Sequence, residues 1–107
     1  MPITRGTTPW IAFALPVDIT EDNIAEAYIT IAQDGNVIAD RALSEGQLRI
    51  DDEKDIVAAK LTQDDTLLLS ADKITSAQLR FVDTDGEAYA TEIITYNTYA
   101  ILHEGVI

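Results

Sequence analysis

The chain has 107 residues, 47% apolar and 24% charged, with nineteen acidic side chains against seven basic ones and a net charge of −12. That length makes one ordinary domain, expected over residues 1–107, with a single core and a small domain's thin stability margin. The lack of cysteine excludes disulfides, thiolate nucleophiles and cysteine-ligated metals, and an exposed field of this sign repels phosphate backbones and anionic membranes.

In chain order, Met1-Pro2-Ile3-Thr4-Arg5 lacks the basic-then-apolar layout of a signal peptide. No run approaches the roughly 18 apolar residues of a membrane span. The expectation is a protein made in the cytoplasm, with neither leader nor anchor. Trp10 to Leu15 is an apolar run between Pro9 and Pro16. The flanking prolines suit an edge or first strand, with Ile11, Phe13 and Leu15 on one face. Asp18 to Asn23 is a polar connection, in which Thr20 is placed to cap one turn of helix at Asn23.

Ala27, Ile29 and Ile31 alternate with Glu26, Tyr28 and Thr30, the period of a half-buried strand. Asp34-Gly35-Asn36 supplies the positive-φ residues of a tight hairpin, and Val37 to Leu43 returns with a less regular alternation. Gln47 to Ile50 and Ile56 to Leu61 read as short strands around the acidic loop Asp51 to Asp55. Thr62-Gln63-Asp64-Asp65 has capping-box spacing and predicts a helical turn that carries Leu67, Leu68 and Leu69 to one end of the core. A second hairpin follows. Ala77, Leu79 and Phe81 alternate with Gln78 and Arg80, Asp83 to Gly86 makes the turn, and Glu87 to Leu102 returns. That return is too long for one ideal strand and predicts a bulge or bend near Thr95 to Asn97. Seven or eight short strands with one or two helical turns predict an all-β, antiparallel two-sheet sandwich.

No reaction centre is legible. The lone histidine, His103, neighbours Glu104 but sits in the tail, and Ser44, Ser70 and Ser76 lack the context of a nucleophile. Asp83-Thr84-Asp85-Gly86-Glu87 holds a fragment of a calcium loop without its remaining ligands, and a hairpin turn accounts for it. The acidic loop Asp51 to Asp55 with Asp64 and Asp65 is a further set of carboxylates that the fold would have to gather. No catalytic, cofactor or metal residue is therefore singled out. The candidates are interface residues: Tyr28 on an outward face, and Ile3, Trp10, Val106 and Ile107 in the two terminal arms. Apolar side chains at chain ends dock on something, a partner or the chain's own sheet.

Several stretches carry a resemblance. Ile3-Thr4-Arg5-Gly6-Thr7-Thr8-Pro9 with Leu15-Pro16, Ile31-Ala32-Gln33, Lys60 to Leu67, Gln78-Leu79-Arg80 leading to Asp85-Gly86, and Ile101 to Ile107 span nearly the whole chain. In them the chain resembles short phage-encoded proteins from tail and baseplate regions of Gram-positive bacteria and their prophages, which are similar to the immunoglobulin-like N-terminal module of upper baseplate proteins. The resemblance implies an immunoglobulin-like fold, a virion location, and contacts with other virion or prophage-encoded proteins or with further copies of itself. The residues call for no cofactor, and the charge argues against nucleic-acid and membrane partners. The alternative of a different class is a small acidic mimic of nucleic acid that blocks a host defence or DNA-binding protein. It draws on the charge, −4 over residues 1–50 and −8 over residues 51–107.

Overall fold

A computed structural model describes residues 2–107, so only Met1 of the expected domain lies outside the described residues. Two sheets face each other across one core. The larger is ordered β1 (Ile3–Thr4), β9 (Ile94–Tyr99), β7 (Ile74–Asp83), β3 (Ile24–Gln33), β4 (Asn36–Ala42), with β8 (Ala88–Ala90) beside the far end of β7. The smaller is ordered β2 (Trp10–Ala14), β6 (Ile56–Lys60), β5 (Leu48–Asp51). Every pairing is antiparallel except β1 with β9.

Lettered along the chain, β2, β5 and β6 take the B, D and E positions of an immunoglobulin-like sandwich. The strands β3, β4, β7 and β9 take C, C′, F and G. The tryptophan and disulfide of antibody domains have no counterpart. Trp10 is half exposed on β2, and Phe13, Ile29 and Leu79 fill the space between the sheets.

Period-two alternation builds this core. Ala27, Ile29 and Ile31 of β3 and Ala77, Leu79 and Phe81 of β7 turn inward and meet Ile11 and Phe13 of β2 and Val57 and Ala59 of β6. Gln33 and Asn36 pair directly, so Asp34 (φ 54°) and Gly35 (φ 78°) form a two-residue turn with both φ positive. Asn36, expected in that turn, already belongs to β4. The irregular alternation of the return strand has a cause. The register slips between Ile31↔Ala39 and Ala32↔Val37, which leaves Ile38 as the extra residue of a bulge.

Three expectations are corrected. The return after Gly86 does carry a bulge, but at Thr91–Ile93 and not at Thr95–Asn97. Ala90 pairs with Arg80 and Ile94 with Ala77, so three residues on one strand oppose two on the other. Thr91 fastens the break: its amide donates to the Leu79 carbonyl (2.9 Å), and its hydroxyl accepts from the Leu79 amide (3.1 Å). Broken there, the strand counts twice, which with β1 raises the expected seven or eight strands to nine. Helical turns number three among the described residues: α1 (Gln63–Leu67) and 3-10 turns at Glu21–Asn23 and Leu43–Glu45. Only Leu67 of the three leucines lies within α1, whereas Leu69 is the one buried in the core.

Candidate functional site

The five predicted interface residues fall in four different places. Ile3 is in the chain's own core, 2% exposed, because β1 adds to the edge of β9 with Ile3 opposite Thr98. It takes the intramolecular option open to a terminal arm. Trp10 begins β2 opposite Lys60, whose ammonium lies 5.9 Å from the ring centroid. Val106 and Ile107 remain exposed, and so does Leu102.

Their segment is nevertheless tied down. The Arg5 guanidinium donates to the carbonyls of Leu69 (2.7 Å) and Leu67 (2.9 Å) and pairs with Glu104. Gln63 exchanges two hydrogen bonds with the backbone of Ile107. Gly6 has φ 76°, and a Cβ there would lie 2.9 Å from the Ile101 side chain, so the arms cross closely. The result is an exposed apolar pair, Val106 and Ile107, beside α1.

Tyr28 belongs to a different surface, the outer face of the larger sheet. Strand register sets two rows across it: Tyr28–Arg80–Ala90 and Glu26–Val82–Ala88. The Arg80 guanidinium lies over the Tyr28 ring, 5.8 Å from its centroid. The small Ala88 and Ala90 sit low beside these long side chains. Together the rows shape a groove of about 330 Å³ whose floor is Val82, Ala88 and Ala90. On the opposite face of β8, Tyr89 stacks on Phe81 with centroids 4.8 Å apart. The groove is largely apolar, with Glu26 and Arg80 as its charged side chains. The Ser44 hydroxyl and the Ala27 amide hold the Glu26 carboxyl below its ordinary range.

The carboxylates are unevenly placed. Loops 15–23, 51–55 and 83–87 carry three, four and three of them, ten of the nineteen, against Lys54 as their one base. Hydrogen bonds join these loops at one end of the sandwich: Glu21 amide to Asp52 Oδ1 (3.0 Å), Leu15 amide to the Asp55 carbonyl (2.7 Å) and Thr84 amide to the Asn23 carbonyl (2.8 Å). The Asp51–Asp55 loop does not converge with Asp65, which instead pairs with Arg41 at α1. Among the described residues no three acidic or histidine side chains come together as metal ligands. In the 83–87 turn, Asp83 Oδ1 accepts from the Asp85 (3.0 Å) and Glu87 (2.9 Å) amides. The carboxylate therefore shapes the turn, as the hairpin reading expected. Asp83 first, then burial and the nearby Glu87 and Asp85, push the Tyr89 phenol above its ordinary value.

Sequence reasoning placed Tyr28 on an outward face but did not find the groove beside it. The signal available was the small–large–small run Ala88-Tyr89-Ala90, which becomes a notch only once β3 and β7 are beside it. His103 lies exposed in the C-terminal segment. No described helix is long and apolar enough to cross a membrane. No protein-family model, curated protein or solved structure matches the chain.

Proposed function

We propose that the chain is a structural or assembly module of a phage tail or baseplate, located in the virion, that works through protein–protein contacts and not through catalysis. The observation that carries the docking part is the Val82, Ala88 and Ala90 groove, an apolar surface beside Tyr28 on the outside of a finished sandwich. Aromatic side chains beside a small apolar notch are what protein interfaces use as anchors. The exposed Val106 and Ile107 offer a second such contact at the opposite end. The phage setting rests on the resemblance, which spans nearly the whole chain. Parts of that kind work at symmetric positions.

The test is composition. Phage particles induced from the strain that encodes the chain are purified and digested, and peptides of this protein are quantified against a tail protein. The expected result is a fixed ratio, in multiples of three or six as tail symmetry demands. Tail-bearing particles devoid of the chain would overturn the proposal. One observation favours the second reading, an acidic mimic of nucleic acid: the gathering of ten carboxylates at one end. That reading expects the chain outside the particle, bound to a basic host protein with an affinity that collapses as salt rises.

A further inference from the structure

The groove has a property that the exposed aromatics alone would not give it, an open backbone edge. The Thr91 amide donates to Leu79 O and the Asp83 amide donates to Glu87 O, both at 2.9 Å. In an antiparallel ladder residues alternate in the direction of their backbone groups. Residues 87, 89 and 91 therefore face β7, and the N–H and C=O groups of Ala88 and Ala90 point away from the sheet. Among the described residues no strand covers them. The N-terminal arm flanks β9 only at Thr98 and Tyr99, well beyond Ala90. The same two alanines floor the groove, so open edge and apolar notch are one place. A strand laid against β8 would set alternate side chains over Ala88 and Ala90.

We infer that the β8 edge is a strand-addition site for an extended segment of a partner protein, one that carries a bulky apolar residue flanked by lysine or arginine. The inference rests on the reading of the chain as a docking module and names the partner that module takes. Backbone groups of Ala88 and Ala90 supply affinity, and the notch selects the apolar side chain, the division of labour usual in strand addition. Charge selects the flanks. The edge runs directly into the Asp83–Glu87 turn, where Asp83, Asp85 and Glu87 stand with no base among them. Arg80, the cation in the groove, is held over the Tyr28 ring and leaves that end acidic. A second copy of this chain fits less well, because each copy brings −12 and edge-to-edge pairing must bring those fields together.

The experiment selects random peptides about ten residues long on the full chain and measures their binding to it and to two variants. Ala90→Pro removes an outward N–H that the ladder does not use, a place where an edge strand tolerates proline. Ala88→Glu fills the notch and touches no backbone bond. Selected peptides are expected to carry a bulky apolar residue flanked by lysine or arginine, and to bind both variants about tenfold or more weakly. They are also expected to slow amide exchange at Ala88 and Ala90. Peptides that bind both variants as well as the original chain would overturn strand addition and leave the docking module standing. Selected peptides without basic residues, or no enrichment, would overturn the partner chemistry. A concentration-dependent dimer abolished by Ala90→Pro would give the edge to a second copy and overturn the inference. The composition of purified particles is read independently, so the virion reading and this one fail separately.

Discussion

Gln33 ends β3 with an amide buried between the sheets, 6% exposed, where alternation alone would put an apolar residue. Its Oε1 accepts from the Ser70 amide (2.7 Å), and its Nε2 donates to the Ser70 carbonyl (2.9 Å) and reaches the Thr75 and Thr98 hydroxyls, themselves 2.6 Å apart. The loop after α1 is thereby fixed to three strands of the larger sheet. A buried amide left without its acceptor costs the desolvation of that group, so Gln33→Ala is expected to lower stability by about 1–3 kcal/mol. Denaturant unfolding with an unchanged m-value checks it. Tyr89 gives a second prediction. Its folded phenol titrates above the ordinary value of 10.0 because of Asp83, and burial does the same for Tyr96. Between the unfolded and folded values the native state holds a proton that the unfolded chain has released. Stability is therefore full below the unfolded value and is lost as pH rises through the folded one. Asp83→Asn is expected to bring the Tyr89 titration back toward 10.0. An unmoved ultraviolet tyrosinate titration would refute the assigned cause.

At the scale of elements, α1 is five residues long and too short to stand alone. Its ends explain why it forms. Thr62 Oγ1 accepts from the Asp65 amide (3.1 Å), while Asp65 Oδ2 accepts from the Thr62 amide (2.8 Å) and also meets Arg41. At the other end the Arg5 fork takes the carbonyls of Leu67 and Leu69. Thr66, fully buried, donates to the Thr7 carbonyl (2.8 Å) and stitches the helix to the N-terminal arm. Thr62→Ala removes one side of the capping box and is expected to cost about 1 kcal/mol. The drop in thermal midpoint should nearly vanish in Thr62→Ser, which keeps the hydroxyl. The short turn before β3 is capped the other way round from the expectation: Asn23 Oδ1 accepts from the Thr20 amide (3.0 Å) and hydroxyl (3.1 Å).

Over the whole molecule, electrostatics sets one end against the rest. Ten carboxylates in three mutually bonded loops, with Lys54 alone among them, repel one another across short distances. Exposed charges of this kind are screened within about 8–10 Å at moderate ionic strength. The double variant Asp52→Asn, Asp85→Asn keeps the acceptor that the Glu21 amide uses and removes two charges. It is expected to melt higher than the parent chain at low salt, with the gain disappearing as salt is added. An equal gain at all salt concentrations would mean that packing, not charge, is responsible. A cost borne at one end in stability is consistent with that end serving a basic partner.

Local pattern in the sequence determined the class, both hairpins, the inward rows Ala27-Ile29-Ile31 and Ala77-Leu79-Phe81, and the caps at Thr62 and Asp65, because these depend on residues only a few positions apart. It also foresaw a bulge after Gly86, since no strand stays regular over that length. Its position was not legible. Thr91 bonds to Leu79, and that choice belongs to a partner strand twelve residues away. Tertiary structure alone decided the fate of the arms. Ile3 and Ile107 look alike as terminal apolar residues, yet one is buried on a strand paired beside β9 and the other stands in solvent. The groove is likewise a tertiary product. Ala88 and Ala90 are unremarkable in sequence, and they form a notch only because register places Arg80 and Tyr28 in the row of Ala90, and Val82 and Glu26 in the row of Ala88. Sequence fixes which residues can face one way; only the pairing of distant strands decides which of them end side by side.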